Sequence, residues 1–470
     1  MKIKGGTSIR ISSIFLVLLG GIILCAPGLY NGYPLVYMDT GTYIKSGFLG
    51  ETPLDRPIMY GLFIRHSSMG FSLWFTIYAQ AVLLAMTLYF FIKEIIKENK
   101  KFRFYYLLVI IFLTSFSSIG WYASQIMPDI FTSILILSLI ILVSNQKLST
   151  IKIILLSSIF VFSCSMHYSH LLIAIVACII LFFLFLIAKI RKRNAILSFE
   201  RLSLISFLSV VAVFLILILN YTHKGGFRLS RGGQTFLMAH FIETGTIQEY
   251  LQENCDKPSL EDCRMCIYKD SLQKGSIDFL WSYNSPLYKL GGWERTETEF
   301  NYLIQQMMSN PQFFIKNVFC SFRLGLSQLF LNNIGEGLSS YKTDSPVSIE
   351  IHEKFKWEEY TYNSSKQQKW NSLLPFFEKI SDINALILIL SVVVILYYFS
   401  FAGTKNDLYY RVGIIIILLI LINSFITAGL NIAYSRLESR AIWILMLYAM
   451  LLILNKKDAI ILYTKKQFYF

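Results

Sequence analysis

Charged residues are scarce in this chain. They make up 15% of its 470 residues, whereas 55% are hydrophobic and 16% aromatic, and the mean hydropathy is +0.54. A soluble protein of this length needs about a quarter of its residues charged to keep its surface wetted. The shortage of charge therefore excludes an ordinary soluble globular protein and predicts a chain that lies largely in a membrane.

Several motifs of soluble and nucleotide-dependent enzymes are also missing. The sequence contains no Walker loop, dinucleotide-binding fingerprint, nucleophile elbow or His-Glu-x-x-His motif, so ATP-driven transport and serine hydrolysis are unsupported. The net charge of +14 comes from lysines and arginines in short stretches between apolar runs, not from a basic domain. This distribution is typical of topology signals, and nucleic acid is not expected as a partner.

Apolar runs of a length suited to a membrane recur along the chain. A helix crosses the hydrocarbon core, ~30 Å thick, with about 20 residues, and it satisfies its backbone groups within that segment. These runs predict an all-α polytopic membrane protein with about ten transmembrane helices. The predicted spans are 11–30, 71–92, 104–119, 128–143, 151–163, 171–188, 202–219, 383–401, 412–429 and 441–454.

Basic residues between the spans predict the orientation of the chain. Connectors that carry at least two basic residues alternate with connectors, around Trp121 and His167, that carry none. Because basic connectors favour the cytoplasmic side, the N-terminus is expected in the cytoplasm. The basic connectors are 93–103, 147–152, 189–201, 405–411 and 456–466.

This orientation leaves two segments outside, the first outer loop at 31–70 and a large extracytoplasmic segment at 221–381. The chain then divides into an N-terminal transmembrane region, 1–220, the extracytoplasmic segment, and a C-terminal transmembrane region, 382–470. A helix expected at 311–331 is predicted to lie in the membrane interface, because polar residues interrupt its apolar positions. The basic, Ile- and Lys-rich composition suits a bacterial inner membrane, with the large segment in the periplasm.

Four cysteines fall in the extracytoplasmic segment: Cys255, Cys263, Cys266 and Cys320. An oxidising compartment favours one or two disulfides among them. The Cys-x-x-Cys spacing of Cys263 and Cys266 also occurs in zinc sites, but no second Cys or His pair follows at a suitable distance. Disulfides are therefore favoured over a metal, and their pairing is left open.

Two aspartates stand at the outer edge of predicted spans, where an ionisable residue is costly and is a candidate for function. Asp39 follows the first span in an aromatic-rich stretch, and Asp129 opens the fourth span after Pro128. Asp39 is a candidate general base or ligand of a divalent cation. The alternative is that each acid only caps or opens a helix, but this does not explain why both meet the same face at equivalent depth.

Arginines and histidines on the same side complete a candidate site. Arg56 in the first outer loop, and Arg436 and Arg440 before the last span, are candidates for binding a phosphate. Arg436 and Arg440 are four residues apart, so a helix presents both guanidiniums together. His167 and His170 are candidates for substrate binding or, with the aspartates, for a metal. The alternatives are that the arginines anchor to lipid headgroups or pair with neighbouring acids, and that the histidines form ordinary hydrogen bonds.

The arrangement resembles the GT-C superfamily of integral membrane glycosyltransferases, which transfer sugars from polyprenyl-phosphate carriers. The resemblance rests on topology, on the two aspartates, and on Arg56-Pro57-Ile58-Met59-Tyr60, which is similar to an Arg-Pro-Pro-x-Tyr run of bacterial members. It implies that Asp39 is the catalytic acid, that Asp129 is the second acidic position, and that Arg56 and Tyr60 bind substrate. Thr40 stands where many members have a further acid, and the Trp-Trp-Asp signature of oligosaccharyltransferases is absent.

The sequence therefore predicts a membrane glycosyltransferase that moves a sugar from a polyprenyl-phosphate carrier to a lipid, glycan or protein acceptor on the extracytoplasmic face. A divalent cation is left open as a cofactor. A transporter or flippase is one alternative, although the spans are nearly free of charge at their centres, where transporters bind their substrates. An O-antigen polymerase or ligase, which shares the lipid-phosphate donor and the outer loop, is another.

Overall fold

The structure, a computed structural model, describes residues 11–96, 101–144, 147–191, 197–272, 275–369, 372–402 and 408–467. Within these ranges the regular structure is helical, and the β-type contact is an isolated parallel bridge between Leu35 and Gln125. The predicted all-α class is confirmed.

The first part of the described chain contains the helices of the N-terminal region and of the first outer loop. They are α1 (Ile11–Leu24), α2 (Ala26–Asn31), α3 (Thr40–Leu49), α4 (Met59–Ser67), α5 (Leu73–Ile96), α6 (Phe102–Phe116), α7 (Ile119–Ala123), α8 (Ile130–Ser144), α9 (Thr150–Ser165), α10 (Tyr168–Ile190) and α11 (Phe199–Thr222). Within residues 31–70, α3 and α4 meet at two glycines. A Cβ atom on Gly47 would lie 2.0 Å from the carbonyl oxygen of Gly61, so only glycine permits this approach.

The second part contains the helices of the 221–381 segment and of the C-terminal region. They are α12 (Gly233–Thr244), α13 (Thr246–Asn254), α14 (Ser276–Trp281), α15 (Pro286–Lys289), α16 (Gly292–Ser309), α17 (Pro311–Gln328), α18 (Pro346–Lys354), α19 (Glu359–Ser364), α20 (Leu374–Tyr397), α21 (Leu408–Gly429) and α22 (Ser435–Gln467). α17 and α18 each begin with proline after a capping residue. The side chains of Asn310 and Ser345 accept amide hydrogen bonds there, as helix-start rules predict.

Six described helices are long and apolar enough to cross a membrane: α5, α10, α11, α20, α21 and α22 as far as Asn455. Four shorter apolar helices, α1, α6, α8 and α9, coincide with the other predicted spans. The chain is therefore a multi-pass helical membrane protein. The full count of ten spans, the orientation, the bacterial inner membrane and the interfacial position of α17 stay predictions.

Buried apolar side chains form two separate cores in the described residues. The smaller core joins α12 to α17 and includes Phe241, Phe300 and Phe313. The larger core runs through the apolar helices and also takes in side chains from Ile334 to Ile380. The 221–381 segment therefore has two parts, one folded around its own core and one packed onto the apolar helices, and the second part borders the candidate site.

Two of the four cysteines in the 221–381 segment form a disulfide, one of the pairings that the sequence leaves open. Cys255 and Cys266 are joined in a disulfide, while Cys263 and Cys320 are free thiols. Because Cys266 is used in the disulfide, Cys263 and Cys266 do not form a zinc-binding pair. The disulfide links the end of α13 to the turn Arg264–Tyr268 and so stabilises the smaller core.

Candidate functional site

A backbone contact brings the two aspartate loops together. The Leu35 amide donates to the Ser124 carbonyl at 2.9 Å, and the Leu35 carbonyl accepts from the Ile126 amide at 2.8 Å, both in the turn 124–126. The hydroxyl of Thr40 donates to a carbonyl of the same turn at 2.9 Å. Asp39 and Asp129, which are far apart in sequence, are therefore held in neighbouring backbone segments.

A buried glutamine holds the first loop from the other side. The Gln367 side chain donates to the Val36 carbonyl at 2.7 Å and accepts from the Val36 amide at 3.0 Å. The backbone amide of Gln367 donates to the side chain of Asn31 at 2.7 Å. The part of the 221–381 segment that packs onto the apolar helices thus fixes the backbone leading into Asp39.

Asp39 stands at the N-cap position of α3, but its side chain makes no capping hydrogen bond. Its Oδ1 atom accepts from Nη2 of Arg56 at 3.1 Å, and its Oδ2 atom lies 4.0 Å from Nη1 of Arg436. The alternative that Asp39 only caps a helix is therefore wrong. Its carboxylate belongs to an ionic network.

The first turns of α22 bring two arginines to Asp129. Nη1 of Arg440 donates to Oδ1 of Asp129 at 3.2 Å, and Nη1 of Arg436 lies 3.8 Å from Oδ2 of Asp129. The four-residue spacing places both guanidiniums on one side of the helix, as the sequence predicts. Asp39, Arg436, Asp129 and Arg440 form a row of alternating charge, with Arg436 between the two aspartates.

Arg56 joins this row at the Asp39 end. Its Nε atom donates to Asp55 at 2.8 Å, and its guanidinium lies 4.9 Å from the ring centroid of Tyr43. Burial disfavours the charge of Arg56, but the carboxylates of Asp39 and Asp55 outweigh it and raise the pKa of the guanidinium well above its ordinary value. Arg56 is therefore a permanent positive charge beside Asp39.

Exposure falls along the row from one end to the other. The side chains of Asp39 and Arg436 keep 22% and 16% of their surface accessible, whereas Asp129 and Arg440 keep 3% and 1%. Arg440 also donates to Ser169 at 3.2 Å and to Asn423 at 3.3 Å. The Asp39 end of the row is therefore its more accessible end, and Arg440 is paired with Asp129.

Arg436 differs from its neighbours in the number of hydrogen bonds that it leaves unmade. Its Nε and Nη1 atoms are buried without a hydrogen-bond partner, whereas Arg56 and Arg440 each leave one such nitrogen. Buried polar groups are paired in nearly all native structures, so each exception calls for an explanation such as a bound ligand. Arg436 is thus the arginine of the network best prepared to bind an anion.

The histidines and Tyr60 lie beside the row and bond to other groups. The ring nitrogens of His170 are hydrogen-bonded to Thr132 at 2.8 Å and to the Ser163 carbonyl at 3.0 Å. Nδ1 of His167 accepts from the Ser169 amide at 3.2 Å. The Tyr60 hydroxyl is buried and donates to Gln80 at 3.0 Å. The roles of His167, His170 and Tyr60 in substrate binding stay predictions.

A divalent cation does not fit the residues of this site. Asp39 and Asp55 pair with Arg56, and Asp129 pairs with Arg440, so guanidiniums already supply the positive charge between the carboxylates. In the part of the chain that the structure describes, no group of three or more His, Cys, Asp or Glu side chains is arranged to hold a metal ion.

Two residues of the site are not evident in the sequence. The ring of Tyr37 lies under Arg436, with 4.2 Å between the ring centroid and the guanidinium carbon. The carboxylate of Glu336 accepts a hydrogen bond from the backbone amide of Arg436 at 3.2 Å. Gly337, in the left-handed region at φ +78°, packs against the Tyr37 ring. The aromatic run before Asp39 was the available signal for Tyr37. Glu336 lies 100 residues before Arg436, and no local pattern indicates it.

Comparison of this chain with protein-family models, with curated proteins and with solved structures finds no match.

Proposed function

We propose that this protein is a membrane glycosyltransferase that takes a sugar from a polyprenyl-phosphate carrier at the extracytoplasmic face. The observation that supports this function best is Arg436, a guanidinium with two buried nitrogens that lack a hydrogen-bond partner, placed between two aspartates at one end of apolar helices. A carrier of this kind presents a phosphate at the membrane surface and keeps its lipid tail in the bilayer. The site and the helices below it offer one environment for each part.

The leaving phosphate is assigned to Arg436. When the bond between the anomeric carbon and the phosphate oxygen breaks, negative charge develops on the phosphate. The unpaired Nε and Nη1 donors of Arg436 are positioned to bind that charge in a largely buried setting, where charge-assisted hydrogen bonds are strong. Arg56, next to Asp39, adds a second fixed positive charge.

The base is assigned to Asp39. It is the more exposed of the two aspartates, so an acceptor hydroxyl can reach it from outside. Asp39 takes the hydroxyl proton as the acceptor oxygen bonds to the anomeric carbon, and the phosphate leaves with the electron pair of the broken bond. Asp129, buried against Arg440, holds Arg436 in place and is nearly inaccessible to solvent.

The test is transfer by the purified full-length protein in detergent, supplied with radiolabelled polyprenyl-phosphate sugars and a membrane extract as acceptor. A labelled product together with released polyprenyl phosphate is expected, because a transferase needs no closed compartment. Arg436→Ala should abolish both signals, while Arg323→Ala, which removes an exposed arginine on α17, should leave them unchanged.

The alternatives predict different results. A flippase forms no glycosylated product in detergent but moves labelled donor between the leaflets of vesicles. A polymerase or ligase consumes lipid-linked oligosaccharide and leaves monosaccharide donors unchanged. Either result would replace the proposed function.

A further inference from the structure

A cavity lined by apolar and basic side chains lies at the opposite end of α8 from Asp129. α8 begins directly after Asp129, and its last residue, Ser144, lines the cavity. At 1.5 Å per residue, Ser144 is about 20 Å from Asp129 along the helix. The end of α5 and the start of α21 complete the walls. The cavity is therefore separate from the row of aspartates and arginines.

The cavity combines an apolar wall with a basic rim. It has a volume of about 410 Å³, a size typical of ligand sites. The rim carries Lys93, Lys147, Lys152 and Glu94, and Lys152 pairs with Glu94 at 2.7 Å. Among the described residues that line the cavity, three are lysines and one is a glutamate, so basic side chains outnumber acidic ones there. The apolar wall consists of Phe91, Ile95, Ile140, Ile141, Leu408 and Val412.

We infer that this cavity binds the headgroup phosphate of an anionic phospholipid, with the first methylenes of its acyl chains along the apolar wall. The cavity opens at the ends of apolar helices, where the headgroups of a bilayer lie. Lysines at that level attract anionic lipids, and basic pockets between transmembrane helices bind their phosphates. A soluble anion would use the lysines but leave the apolar wall without a partner.

Such a lipid would contact three helices at this end. The Tyr409 hydroxyl of α21 donates to the Ile95 carbonyl of α5 at 3.0 Å, and Ser144 of α8 has a buried hydroxyl without a hydrogen-bond partner. A phosphate in the cavity can accept from that hydroxyl as well as from the lysines. Binding should therefore stabilise the folded protein in proportion to lipid affinity.

The experiment measures thermal unfolding and native mass spectra of the full-length protein in nanodiscs of phosphatidylcholine, with and without phosphatidylglycerol. We expect phosphatidylglycerol to raise the melting temperature and to remain bound in the mass spectrometer. Lys147→Glu should weaken that binding about tenfold, whereas Lys147→Arg should retain it. Glu94→Gln, which removes the negative charge from the same rim, should strengthen binding.

The matched control is Lys189→Glu, because Lys189 is an exposed lysine near the end of α10 and does not line the cavity. An equal loss with Lys189→Glu would show general surface attraction and overturn the proposal. So would equal stabilisation by inorganic phosphate alone, which would assign the cavity to a soluble anion. No sugar transfer is measured, so the outcome is independent of the proposed glycosyltransferase activity.

Discussion

The two halves of the ionic row look alike in the sequence and differ in the structure. Each half has an aspartate that directly precedes a helix and an arginine from the start of α22. Asp39 and Arg436 keep part of their surface exposed and lie 4.0 Å apart, whereas Asp129 and Arg440 are buried and hydrogen-bonded at 3.2 Å. The same residue types therefore form an open pair, Asp39 with Arg436, and a closed pair, Asp129 with Arg440.

The difference follows from what surrounds each arginine. Arg440 donates to Asp129, Ser169 and Asn423, so most of its hydrogen-bonding capacity is used inside the protein. Arg436 is held by the Tyr37 ring and by ion pairs of 3.8 and 4.0 Å with the two aspartates, distances too long for hydrogen bonds. Mutations in the open pair should therefore change transfer more than stability, and mutations in the closed pair should do the reverse.

The largest effect is expected from Asp39→Asn. Loss of a general base typically costs a factor of about 10² to 10⁴ in rate, while the amide retains the shape and can still accept from Arg56. Single-turnover transfer should fall by that factor with little change in melting temperature. Asp344→Asn, at an exposed acid of the 221–381 segment, is the control. Full transfer by Asp39→Asn would remove the base from the mechanism.

The next effect is expected from Arg440→Met, and it should be a loss of stability. Removing one partner of a buried ion pair leaves the other charge uncompensated, at a cost of about 3–5 kcal/mol. Denaturant unfolding in detergent measures this loss. The double variant Arg440→Met with Asp129→Asn should recover part of the stability. An unchanged unfolding midpoint in Arg440→Met would mean that the closed pair is not structural.

A smaller effect is expected from Arg436→Lys. Lysine keeps the charge but loses the planar donors that fit a phosphate, so donor affinity should fall about tenfold. The Michaelis constant for the donor should rise more than the turnover number falls, and the melting temperature should hardly change. A loss of stability as large as that of Arg440→Met would erase the distinction between the two halves.

The sequence predicts which charged residues belong to this site but not their division into halves. Asp39, Asp129, Arg436 and Arg440 are evident because ionisable residues at the edge of apolar spans are costly. The ten predicted apolar runs coincide with helices because the length and hydropathy of a run are local properties of the sequence. Burial and pairing depend on distant contacts, such as that of Gln367 with Val36, and no local pattern encodes them.

The smallest effect is expected at Tyr37, which supports Arg436 from below. A cation over an aromatic ring gains about 0.5–1 kcal/mol at a partly exposed site, so Tyr37→Leu should raise the Michaelis constant for the donor about threefold. Tyr37→Phe keeps the ring and should behave like the unaltered protein. The phenylalanine ring also keeps the contact with Gly337. A loss shared by both variants would point to the hydroxyl instead, because the hydroxyl is what both variants remove. A loss confined to Tyr37→Leu would show that stacking, rather than hydrogen bonding, keeps the open arginine in position with its donors free.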